Sequence, residues 1–131
     1  MMEMGGLMAE NRQYTALEWV IKEIKVSLQE SKRVLELYAN DFQDITQLRF
    51  CLTLIHQVRG SLRMAGFHGA AMLAEEMENL TQALLNDRVR SPREALEVLA
   101  TAILQLPDYL EQVQQTKQDY GPSHKETRRR L

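Results

Sequence analysis

The stretch Leu54-Ile55-His56-Gln57-Val58-Arg59-Gly60-Ser61-Leu62-Arg63-Met64-Ala65-Gly66-Phe67 decides how this chain is read. Ile55, Val58, Leu62 and Ala65 recur at spacings of three and four, the period of one helix face, and Leu48 and Cys51 extend the row backward. His56 lies one residue off that row, rotated by roughly 100°. It therefore stands at the border between core and solvent. Its neighbours at helical spacing are Arg49, Leu52, Arg59, Gly60 and Arg63, which make the face basic. A glycine inside a helix costs about 1 kcal/mol relative to alanine. Gly60, one turn after His56, is read as clearing space over the imidazole so that another protein can reach it. Gly66 marks the turn that follows.

The same period continues on both sides. Thr15 with Glu18 fits a capping box, and Leu17, Ile21, Ile24, Leu28, Ser31, Leu35 and Tyr38 form one stripe of a first helix ending near Asn40. Asp41 and Asp44 are both suitable N-caps for the second helix. A third helix is expected from Phe67 to Asn86, with Ala70, Leu73, Met77, Leu80 and Leu84 inward and Glu75, Glu78 and Gln82 on an adjacent polar stripe. Ser91, Pro92 and Glu94 make the strongest start signal in the chain. Leu96, Leu99, Ile103, Leu106, Leu110 and Val113 then keep the helical phase across Pro107, which predicts a kink and not a break. Tyr14 and Trp19 are expected to pack in the core, with docking of a partner as the lesser alternative, and the methionines to fill the core or belong to the leader.

These signals predict an all-α chain folded as an antiparallel up-down-up-down four-helix bundle. Residues 1–13 lack periodicity and read as a flexible leader, 14–118 as the bundle, and 119–131, with Gly121, Pro122 and Arg128-Arg129-Arg130, as a disordered linker or tail.

Composition narrows the function. A length of 131 residues fits one domain, and a net charge of −2 gives no reason to expect nucleic acid or direct contact with an anionic membrane. Cys51 is the single cysteine, so no intrachain disulfide can form, and its place in the apolar row makes it a core residue and not a nucleophile. No apolar run approaches the ~20 residues of a membrane span, and Met1 to Ala9 lacks the basic start of a signal peptide. A cytoplasmic setting is expected. His56, His68 and His124 lack metal-ligand spacing, so no metal site is expected, and His68 reads as a surface residue. No phosphate-cradling glycine loop or Mg²⁺ carboxylate cluster is present, so the chain is not itself read as a kinase.

The spacing His56, Arg59, Gly60, Ser61 and Gly66 resembles the signature of histidine phosphotransfer (HPt) domains, four-helix bundles with the histidine on the second helix. Gly66-Phe67 followed by Met77-Glu78-Asn79-Leu80 is similar in register to the N-terminal phosphotransfer module of CheA-like chemotaxis kinases, and within these to the twitching-motility group. The resemblance covers most of residues 15–117. It implies the first module of a very long histidine kinase chain, monomeric when isolated. His56 is then the phospho-acceptor, Glu78 orients the imidazole and Arg59 stabilises the phosphoryl group, while Gly60, Ser61, Arg63 and Gly66 form the docking face. The partners implied are a histidine kinase catalytic domain and a response-regulator receiver domain. ATP-Mg is used by the kinase, and this module binds no cofactor. The chemistry is nucleophilic: a free imidazole, with a pKa near 6.5, is mostly neutral at cytoplasmic pH and offers one lone pair. Arg59 stands where the family usually has lysine, Leu62 and Arg63 where it often has small residues, and Glu75 where CheA has a second histidine. The competing reading is a degenerate, non-phosphorylated scaffold that binds signalling partners. An exposed His56 within hydrogen-bonding range of Glu78 favours phosphotransfer; a His56 shielded by Arg63 or turned inward favours the scaffold.

Overall fold

The computed structural model describes the backbone of residues 2–119 and the side chains of residues 16–115. The described residues form four helices and no strand: α1 (Met2–Asn40), α2 (Ile45–Met64), α3 (His68–Leu85) and α4 (Pro92–Asp119). α1 packs against α2 and α4, and α3 packs against the same two helices from the other side, so that all four enclose one core. Residues 120–131 of the expected tail lie outside the described residues.

The core follows the helical period. Leu48, Cys51, Ile55, Val58 and Leu62 of α2 are all buried, as are Ile21, Ile24, Leu28, Leu35 and Tyr38 of α1 and Leu96, Leu99, Ile103, Leu106 and Leu110 of α4. Ser31, the polar residue in the α1 stripe, is fully buried, and its hydroxyl donates to the Ser27 carbonyl at 2.8 Å, so no donor is stranded in the core.

Three expectations need correction. The α1 helix does not start at the Thr15 capping box but extends back to Met2, since Met, Glu, Leu and Ala are strong helix formers that outlast a local start signal. In α3 the inward stripe is Ala70, Ala74, Met77, Thr81 and Leu84, with Ala71 also buried, whereas Leu73 is exposed. Alanines fill the positions facing the neighbouring helices, so the row of largest apolar residues is not the row that is buried. Thr81 is accommodated because its hydroxyl donates to the Met77 carbonyl at 2.7 Å. Trp19 is exposed, as are Met64 and Met72, and of these methionines and Met77 only Met77 is buried. All three exposed side chains sit off the inward stripes.

The turns have definite chemistry. α2 ends in a Schellman motif: Phe67 N–H donates to Leu62 O at 2.9 Å and Gly66 N–H to Arg63 O at 3.1 Å, with Gly66 at φ +84°. Leu62 and Phe67, the residues that such a motif brings into apolar contact, are both buried. α3 ends the same way, with Arg88 N–H donating to Ala83 O at 2.9 Å and Asp87 N–H to Leu84 O at 3.2 Å. Here the left-handed position is Asp87, at φ 54°. An L residue is strained in that region, so Asp87→Gly is expected to raise stability by about 0.5–1 kcal/mol, read as a higher urea midpoint. α4 starts as its sequence implies, with Ser91 Oγ accepting from Glu94 N–H at 3.3 Å, and it runs through Pro107 without ending. Asp44 stands at the N-cap position of α2 without a side-chain cap bond, while Asp41 caps the preceding turn by accepting from Gln43 N–H at 3.0 Å.

Cys51 has no solvent exposure, and burial pushes its thiol up to about 12. The thiolate is the reactive form. A thiol reagent at about pH 8, half a unit below the ordinary thiol value, is therefore expected to leave the folded domain unmodified and to label Cys51 once denaturant is added.

Candidate functional site

His56 is held by its own helix just outside the buried row. Ile55 and Val58 point inward, and this phase leaves the imidazole 59% exposed on the side of α2 that adjoins α3. From α3, Met77 turns into the core and carries the next residue, Glu78, to the helix boundary. Glu78 Oε1 lies 2.8 Å from His56 Nδ1, and the carboxylate is only 19% exposed. A carboxylate accepts, so the proton of the neutral ring sits on Nδ1 and the lone pair on Nε2. The second carboxylate oxygen, Oε2, is shielded from solvent. It lies 3.1 Å from Arg59 Nη1, an ion-pair contact without the alignment of a hydrogen bond. Arg59 Nη2 is 3.4 Å from His56 Nδ1. Both nitrogens carry hydrogens in this tautomer, so that approach is proximity only.

His56, Glu78 and Arg59 thus form one cluster across α2 and α3. The other expected site residues are distributed around it. Arg63 points to Glu75, with Nη2 at 3.5 Å from Oε2, and leaves His56 uncovered. Gly60 and Ser61 face α1. They line a groove of about 450 Å³ together with Trp19, Val20, Gln57 and Met64. A methyl group at Gly60 would meet no atom within 4 Å, so the space beside it is open. Gly66 belongs to the turn after α2. The exposure of Met64 was not anticipated, and that of Trp19 matches the lesser of its two expected roles. The signal lay in their phase: Trp19 falls between Leu17 and Ile21 on the α1 stripe, and Met64 lies two residues beyond Leu62.

Among the described residues, no group of three or more His, Cys, Asp and Glu side chains is placed to hold a metal ion, and no helix is long and apolar enough to cross a membrane.

Comparison with known families gives the class first: a chemotaxis-like signalling domain of the twitching-motility kind. The chain belongs to the FimL C-terminal domain family, whose family model matches residues 11–122. FimL is a twitching-motility, chemotaxis-like protein. No curated protein matches the chain.

Proposed function

We propose that this domain is a histidine phosphotransfer module, and that His56 is its phospho-acceptor. The observation that carries the reading is the 2.8 Å contact between Nδ1 of an exposed imidazole and the carboxylate of Glu78. Nε2 is left with an accessible lone pair. In the first step that lone pair attacks the γ-phosphorus of ATP-Mg held by a partner kinase domain. The N–P bond forms as the bond from phosphorus to the bridging oxygen breaks, and ADP leaves. The ring becomes cationic, and the Glu78 carboxylate stabilises it through the Nδ1 proton. In the second step a carboxylate oxygen of a receiver-domain aspartate attacks phosphorus, and the N–P electrons return to Nε2. Membership of a chemotaxis-like signalling family supports such partners.

An antiparallel up-down-up-down arrangement belongs to the same reading. Across α2 and α3, residue numbers rise along one helix as they fall along the other: His56 meets Glu78 and Arg63 meets Glu75. α1 and α4 oppose each other likewise: Lys25 pairs with Glu111, while Lys32, Leu35 and Phe42 line a groove with Arg93, Leu96 and Glu97. The setting proposed is cytoplasmic.

The test mixes the domain with its cognate kinase and labelled ATP. Acid-labile label is expected on the wild type and absent from His56→Gln. No label, with a kinase active on another module, would overturn the reading and leave a scaffold.

A further inference from the structure

We infer that the groove between α1 and α4 is a self-association face, on which a second copy of this chain docks across a two-fold axis. The inference departs from the monomer that the resemblance implies, and it does not depend on the chemistry of His56.

The groove runs along the side of the bundle away from His56, which sits between α2 and α3. It has two connected parts, of about 300 and 210 Å³, and Lys32 lines both. Leu35, Ala39, Leu96 and Ala100 line the first part, and Leu28 and Ile103 the second. Two large apolar side chains on its walls remain in solvent, Phe42 at 42% and Leu104 at 55% exposure. Covering such a groove removes apolar surface from water.

The charges decide the occupant. Lys25, Lys32 and Arg93 balance Glu36, Glu97 and Glu111, so the face carries no net charge. A strongly acidic or basic partner would meet as much repulsion as attraction. A second copy does not, because a two-fold axis turns the pattern on itself and reverses its order. Lys32 and Glu36 stand one turn apart on α1, and their own contact is a loose 3.9 Å. Among the described residues, Arg93 and Glu97 have no ion-pair partner. An axis crossing α1 between Lys32 and Glu36 lays α1 antiparallel on its copy. Lys32 of each chain then meets Glu36 of the other. That axis lies close to midway between Lys25 and Phe42. The end of the groove holding Phe42 and Arg93 is thereby brought over the end holding Lys25 and Glu111, so Arg93 of one copy gains Glu111 of the other. The apolar walls close on each other between these pairs, and both imidazoles stay outward.

The experiment is sedimentation velocity across a concentration series. Wild type is expected to approach twice the chain mass as the concentration rises to about 1 mM. Lys32→Glu and Glu36→Lys are each expected to weaken association by about tenfold, since the axis repeats each substitution and two attractions become two repulsions. An equimolar mixture of the two variants should associate as well as wild type, because the mixed pair restores an acid opposite a base at both contacts. Leu104→Glu should weaken association while leaving the Lys32 and Glu36 contacts in place. Circular dichroism checks that each variant remains helical. A wild type that stays monomeric at about 1 mM overturns the inference. So do single variants that associate like wild type, and a mixture that associates no better than its components. Label transfer to His56 is measured separately, so failure of the functional reading and failure of this one are distinguishable.

Discussion

Glu78→Ala is expected to slow phosphoryl acceptance by His56 by about a hundredfold, the scale of one well-placed acid–base partner, while leaving the domain folded. The loss has two sources. The imidazole no longer has an acceptor for Nδ1–H, so its neutral form shifts toward the Nε2–H tautomer, in which the exposed nitrogen has no lone pair. The cationic ring formed on attack also loses the carboxylate now 2.8 Å away. Glu78→Gln separates these effects. Its amide oxygen still accepts from Nδ1 but carries no charge, so a smaller loss, on the order of tenfold, is expected. The measurement is the initial rate of label transfer from an isolated kinase catalytic domain, with circular dichroism to confirm that both variants remain helical. A wild-type rate for Glu78→Ala would contradict the role given to this contact.

Leu62→Ala is expected to destabilise the domain by about 2–5 kcal/mol. Leu62 is fully buried on the helix that carries His56, and its carbonyl accepts the closing hydrogen bond of the turn after α2. Truncation leaves the backbone bond in place but removes the side chain that packs beneath it. Against a total stability of about 5–15 kcal/mol for a domain, the loss is large enough to read as a marked drop in the urea midpoint. A change below about 1 kcal/mol would mean that the core closes over the gap.

How much of this was legible beforehand varies by element. The α2 row was legible in full from Leu48 to Leu62, because large apolar residues at a helical period have one consistent reading. The α3 row was not. Size pointed to Leu73, which is exposed, whereas burial fell on Ala71, Ala74 and Thr81. Residues that allow close approach between helices carry little hydrophobic signal of their own. The turn at Gly66 could be read from glycine, but the matching turn at Asp87 could not, since aspartate tolerates several conformations. At the candidate site, the position of His56 on the border of the core followed from its phase. Its approach to Glu78 was expected from family resemblance alone. The contact between Arg59 and Glu78 depends on the distance between two helices, and no spacing within one helix encodes that distance.

The row of alanines along α3 bears on the surface chemistry as well as on the core. Ala70, Ala71 and Ala74 have almost no exposure, and their small size sets how near α3 can lie to its neighbours. His56 and Glu78 come from separate helices, so their 2.8 Å contact serves as a ruler for that separation. A leucine in place of Ala74 would wedge the helices apart from beneath. Even a modest widening would break the contact overhead. The reactivity proposed for His56 would thus be governed by side chains that never meet water, and a mutation with no atom near the imidazole would silence it.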